Sequence, residues 1–480
     1  MAGIGVRLNK LFEKRSMAAA VVGIGYSTAV TITPMVVVIA CVVLMQKVLG
    51  FSTLTYVDKE IFLCSMLYIF IFGLLTTSVF SSVISKFIAD VIFEERYEDI
   101  MPCYYMGLAL NMVLAGGAGA AFCIRALIVG RVSPSVIFAA FMGYMALVFV
   151  FYTMTYLSVC KTYEKIMLFY LVGMVAAFLL SLLFRFIIGM SIETSMLLAV
   201  ASGLIITGSL ALAVLRQYFK MCSKNYCRIF GHLRKYWKLI VANTAYTLGL
   251  YVHNFVFWKS ELGISVENTF IYAETYDLAS CIAMFTNISA SVILLANIEM
   301  HFNQSYKEYS EAVIGGRYAD IEKTKNRMFG RLVSEIMSIA RIQFIISTVM
   351  YLVFSILLPR FGFNGLVMTI YPVMAAAYFV VFIMYAAFIF LYYFDDLTGA
   401  MRTGIIFCVV TFIGSLVSMQ FQRIWYGMGI FAGAVAGWTY SYFRLRWVEK
   451  NIDVHIFCRG DILRRKRAKR PSGISYRKNA

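Results

Sequence analysis

Charge is scarce in this 480-residue chain: only 14 % of its residues carry one, and only 25 of those are acidic. A soluble domain is about a quarter charged and about half apolar. Here 61 % of residues are apolar and mean hydropathy is +0.79. Too little polar surface exists to cover a water-soluble core, so most of the solvent must be lipid. Long polar stretches are also missing. None exceeds about 40 residues, too short for a catalytic domain of ordinary size. The motifs GxxxxGK[ST], HExxH and GxSxG do not occur, which argues against ATP hydrolysis, zinc proteolysis and serine hydrolysis. Asp395-Asp396 is adjacent rather than DxD-spaced, and Ile424 stands where a QxxRW motif needs tryptophan. A processive glycosyltransferase is therefore excluded. The ten cysteines show neither CxxC nor metal-ligand spacing and read as small packing residues. Nothing calls for a catalytic residue, a metal or a cofactor.

What the chain has in abundance is long apolar runs. Crossing the roughly 30 Å hydrocarbon core takes about 20 helical residues. Runs of that length fall at 17–46, 61–89, 104–128, 135–159, 166–188, 194–219, 239–258, 272–300, 333–358, 366–393, 401–420 and 427–444. Alternating ten-residue patterns are absent, leaving helices as the spanning structure. The expected fold is an all-α membrane protein of about twelve transmembrane helices. The first apolar run is too long for the core of a cleavable signal, so the first helix is expected to stay.

Lysine and arginine set the orientation. Of 43 basic residues, Lys47, Lys59, Arg125, Arg131, Arg185, Lys259, Arg360 and Arg423 fall on one side and Arg341 inside a helix. The rest lie on the side of the N-terminus. By the positive-inside rule that side is cytoplasmic, and an even number of spans puts both ends there. The net charge of +18 then reflects orientation and contact with anionic lipid rather than nucleic-acid binding, the basic run Arg464–Arg470 included.

The most basic interior segment, 220–238, falls between the sixth and seventh runs. It divides the chain into a basic N-terminus at 1–16, a six-helix lobe at 17–219 and a second at 239–444, with a basic tail at 445–480. Six is even, so both lobes start on the same side, as parallel repeats do. Transporters of this plan bind substrate between the halves and rock around it. One cytoplasmic segment, 301–332, interrupts the second lobe. Gly315-Gly316 is expected to break it into two short amphipathic helices, which could lie on the membrane or dock a partner. Arg234, Lys235, Lys307 and Arg317 are the candidate docking charges.

Ionisable groups within apolar runs are costly unless paired or hydrated. His253 and Asp277 lie at similar depth on consecutive helices and could form a pair, either as a working transport site or as a static staple. Lys86 and Asp90 have the spacing of a helical ion pair, placed where a snorkelling anchor would sit. Arg341 and Gln343 could line an inner mouth or snorkel. Pro34 and Pro372 are expected to kink their helices, and Gly116-Gly117 with Gly119 reads as close helix packing.

Several segments carry a family resemblance. MAGIG, SKFIADVIFEERYEDI, LSVCKTYEKIMLFYLVG, LGLYVHNFVFW, YAETYDLAS, the 299–322 stretch, YYFDDLTGA and YGMG occur in an order similar to the PelG family of Pel exopolysaccharide transporters. The resemblance implies twelve helices in two lobes and export of a hexosamine-rich polysaccharide. It further implies partnership with a cytoplasmic glycosyltransferase and a cyclic-dinucleotide-sensing membrane protein. In one place the chain departs from the family pattern, which has an Asp-Lys pair where His253-Asn254 stands here. Two other readings remain open from the residues: ion-coupled efflux of small cationic compounds, and a non-transporting scaffold for a synthase.

Overall fold

A computed structural model describes residues 17–130, 132–159, 163–220, 223–298, 302–360, 362 and 365–453. The N-terminal segment 1–16, Arg131, Glu299, His301 and the tail from 454 onward lie outside the described residues. The first half comprises α1 (Met17–Val48), α2 (Tyr56–Phe93), α3 (Ile100–Ile128), α4 (Pro134–Val159), α5 (Tyr163–Leu182) and α6 (Ile192–Tyr218). A short helix, α7 (Arg228–Lys235), leads to the second half. There α8 (Trp237–Phe257) is followed by a hairpin of β1 (Ile264–Val266) and β2 (Phe270–Tyr272). After it come α9 (Glu274–Asn297), α10 (Asn303–Gly315), α11 (Tyr318–Arg360), α12 (Gly365–Tyr393), α13 (Leu397–Ser418) and α14 (Met428–Ile452).

Apart from short α7 and α10, twelve long helices follow the twelve apolar runs in order. Eight of them carry a stretch long and apolar enough to cross a membrane by strict length and composition. Two that do not, α8 and α9, carry His253, Asn254 and Asp277 and pack against the opposite lobe. Pro34 lies inside α1 and Pro372 inside α12, each helix continuing through it.

Helix packing repeats between the halves. In each, the second spanning helix packs on the fourth, the fourth on the sixth, the fifth on the sixth, the third on the fourth and the first on the fifth. Between halves, α2 packs on α8 and α1 on α9. Second-on-first and first-on-second is the pairing that a two-fold relation between parallel repeats produces. Two parallel six-helix lobes are thus present although the halves share no visible sequence identity.

Large side chains occur on both sides of the helices: Tyr104, Tyr152, Tyr371 and Phe382 are fully buried, while other large apolar residues form exposed stripes. On α11 the exposed stripe includes Val333, Met337, Phe344, Ile345 and Leu352. At 43 residues, about 65 Å at 1.5 Å per residue, α11 is about twice as long as the roughly 30 Å hydrocarbon core is thick. The sequence expectation of two short helices in 301–332 is corrected here. Only α10 is separate, and residues after Gly316 form the first turns of α11. Nor does α10 lie loosely on a surface. Tyr309 is fully buried and donates to Asp453 Oδ1 at 2.5 Å, with Lys325 Nζ 2.7 Å from Oδ2. Burial pushes the Asp453 carboxyl up, but those two partners outweigh it and leave it below the ordinary range.

Candidate functional site: the seam between the lobes

Twelve crossings bring the two ends of the described chain to one face, called here the terminal face; the hairpin lies on the other. Contacts between lobes run the length of α2 and α8. Near the terminal face, Lys86 Nζ stands 3.8 Å from Asp90 and 3.7 Å from Asp395 at the end of α12. The helical ion pair thus extends across the seam. Tyr236 donates to Asp90 at 3.4 Å, and His232 Nε2 lies 3.7 Å from the same carboxylate. Burial holds the His232 imidazole below its ordinary pKa despite the pull of Asp90. Halfway along, Asn243 donates to the Ser78 carbonyl at 2.6 Å and to Ser81 at 3.1 Å. Toward the hairpin, Phe72 stacks on Phe255 at 5.8 Å and Tyr68 on Trp258 at 5.3 Å.

His253 and Asp277 do not pair with each other, a correction to the expectation above. Successive helical residues point about 100° apart, so it is Asn254, next to His253, that faces Asp277. The carboxylate accepts from Asn254 Nδ2 at 2.7 Å, from Trp258 Nε1 at 2.9 and 3.0 Å, and from the Ala273 amide at 3.0 Å. Its partners are all neutral donors. His253 Nδ1 meets the Tyr276 hydroxyl at 2.8 Å, while Nε2 is buried and unpartnered. The i, i+4 spacing of Asn254 and Trp258 put both on one face and was legible in the sequence. Tyr68 and Asp395 were not, because each acts across the lobe boundary.

The other candidates separate. Arg341 shares the exposed stripe of α11, where its guanidinium is placed to snorkel. Gln343, two residues on, is fully buried and donates to Asn287 at 2.7 Å and Ser347 at 3.0 Å within the second lobe. The Gln343 contacts stay within the second lobe and do not reach the seam. Arg234, Lys235, Lys307 and Arg317 are all exposed on the terminal face. The adjacent linker is tied down: buried Asp99 accepts from Ser223, Asn225 and Arg228 at 2.6, 3.2 and 2.6 Å.

One cavity of about 200 Å³ sits inside the first lobe between α2, α3 and α4. Tyr68, Phe72, Phe122, Phe141 and Tyr144 give it an aromatic wall, to which Phe270 of the hairpin adds a further ring. The Gly119 position is part of this wall, where a Cβ would come within 2.8 Å of Phe141; the glycine admits the α3–α4 approach.

Two parallel six-helix lobes meeting along a polar and aromatic seam define a multi-pass membrane transporter. Solved structures support the fold. A MOP superfamily transporter from Pyrococcus furiosus aligns with a TM-score of 0.54 at 13 % identity, over 89 % of this chain and 96 % of that one. A MATE in the bent conformation gives 0.54 at 11 %, again over 89 % and 96 %. An outward-facing multidrug resistance MATE family transporter gives 0.51 at 14 %, over 88 % and 97 %. No curated protein matches the chain significantly. The family model PelG, "Putative exopolysaccharide Exporter (EPS-E)", matches residues 1–457, and the chain belongs to that family.

Proposed function

We propose that this protein moves an exopolysaccharide, a Pel-like polymer of hexosamines, across the cytoplasmic membrane as a two-lobed flippase-type transporter rather than as an enzyme. The observation that carries this reading is the family match over 1–457. The seam adds physical support: aromatic rings at Tyr68, Phe72 and Phe255 and the Asn243 amide lie along it, and a sugar polymer needs stacking surfaces and hydrogen-bond partners together. The terminal face, rich in lysine and arginine, is assigned to the cytoplasm by the positive-inside rule. There the exposed Arg234, Lys235, Lys307 and Arg317 would meet a cytoplasmic glycosyltransferase and a cyclic-dinucleotide-sensing membrane partner. The lobes would rock about the α2–α8 and α1–α9 contacts, and the Lys86–Asp395 bridge would part when the seam opens inward.

The test is to delete the gene with its locus otherwise intact and to measure surface and intracellular hexosamine polymer together with retention of a cationic dye. Loss of surface polymer with retention inside is the expected result. Unchanged polymer with raised dye retention would replace this reading with small-molecule efflux. Loss of both pools would direct attention to a scaffold role.

A further inference from the structure

The hairpin belongs to the second half of the chain, yet it is built into the first lobe. Its strands pair antiparallel, Val266 opposite Phe270 and Ile264 opposite Tyr272, and Glu267 and Asn268 both take positive φ to close it tightly. Val266, Phe270 and Tyr272 are buried in the same cluster as residues of α1 to α6. The Tyr68 hydroxyl on α2 holds Ile271 twice, accepting from its amide at 2.9 Å and donating to its carbonyl at 2.8 Å. Tyr272 donates to the Glu60 carboxylate on α2. The Phe270 ring lies 5.3 Å from Tyr68 and 5.5 Å from Phe122 of α3 and lines the first-lobe cavity with them.

Both feet of the hairpin meet at one residue. Asp277 accepts from the Trp258 indole, just before the hairpin, and from the Ala273 amide, just after it. Trp258 in turn stacks on Tyr68 with planes 5° apart. A continuous chain of contacts therefore runs from the Asp277 carboxylate through Trp258 and Tyr68 to Phe270 in the cavity lining.

We propose that residues 259–272 form a strap by which the second lobe closes the cavity of the first, and that Asp277 is the positioning residue that sets it, acting through Trp258 and Tyr68. The lobes cannot separate on the hairpin side while the strap is seated, because Ile271, Phe270 and Tyr272 would have to leave their partners on α2 and α3. The proposal rests on the transport reading only in requiring that the lobes part; the seating of the strap is measurable without any cargo.

Cys123, a native thiol, lines the same cavity as Phe270. In a variant that keeps Cys123 as its only cysteine, a membrane-impermeant maleimide applied from the hairpin side should react slowly. Phe270→Ala and Asp277→Ala should each raise the rate by about tenfold or more, as removing about 1.4 kcal/mol or more of closure would. Tyr68→Phe, which keeps the stack and loses both bonds to Ile271, should fall between. Equal rates in all four proteins would overturn the proposal. Glu60→Cys with Tyr272→Cys gives a second reading that survives misfolding of the alanine variants. Oxidation should cross-link the pair, halt polymer export and be reversed by reductant. Export that continues with the cross-link closed would show that the strap need not open. A protein with the expected labelling pattern in cells that export no polymer would instead leave the strap standing and sink the functional reading.

Discussion

At the scale of single residues, buried carboxylates do most of the tying. Asp396 caps α13 by accepting from the Gly399 amide at 3.1 Å, and Arg444 of α14 grips it through Nε at 2.5 Å and Nη2 at 3.0 Å. Its side chain is almost wholly buried. Removing one partner of such a pair leaves an uncompensated charge, at a cost of about 3–5 kcal/mol. Arg444→Ala should therefore lower stability to denaturant by about 3 kcal/mol. Asp396→Asn keeps an acceptor at the cap and should cost clearly less. Equal losses in the two variants would assign the effect to the ion pair as such rather than to a carboxylate left buried and unpaired. Asp277 works by the same logic with neutral donors, which is why no cation is needed to hold it. The sequence marked Asp277, His253 and Asp90 as costly groups and missed Asp396, and it could not tell a carboxylate facing three donors from one awaiting an ion. That choice depends on which side of the helix the neighbours approach.

At the scale of elements, close approach is the deciding quantity. Gly249 lies on α8 against α13, where a Cβ would come within 2.6 Å of the Phe407 ring and 3.2 Å of the Cys408 Cα. The ring can rotate; the backbone cannot retreat without moving a helix. Gly249→Ala should thus destabilise by about 1–3 kcal/mol, read as a lower unfolding midpoint in detergent. At Gly117, where a Cβ meets nothing, the same change should be nearly silent. An equal effect at both sites would contradict the packing argument. Apolar runs located the helices well because the bilayer imposes their length. Their ends were less legible. The start of α11 was read as a separate amphipathic helix because polar sequence looks alike whether it ends a helix or continues one into water. The hairpin was not foreseen at all: GISVENTFIY is a short stretch between two strong helices, and its pairing is fixed by Tyr68 and Glu60, some 200 residues upstream.

At the scale of the whole molecule, the terminal face carries exposed basic residues on α7, on α10 and just before α11. If a cytoplasmic synthase docks there, reversing Arg234, Lys235, Lys307 and Arg317 to glutamate together should cut its co-purification at least tenfold and steepen its salt sensitivity. Such a variant should leave maleimide labelling of Cys123 unchanged. Undiminished co-purification would move the docking site elsewhere.

The sequence by itself determined that this is a twelve-helix membrane protein in two six-helix halves, with its basic residues gathered on one face. Those features follow from composition, run length and charge placement, which the bilayer reads one segment at a time. The tertiary structure alone decided which buried groups meet. It turned Asp277 toward Trp258 rather than His253, Lys86 toward Asp395 across the lobes, and a C-half hairpin into the N-half core. Helix rotation and the two-fold packing of the lobes set those contacts, and neither leaves a local mark in the chain.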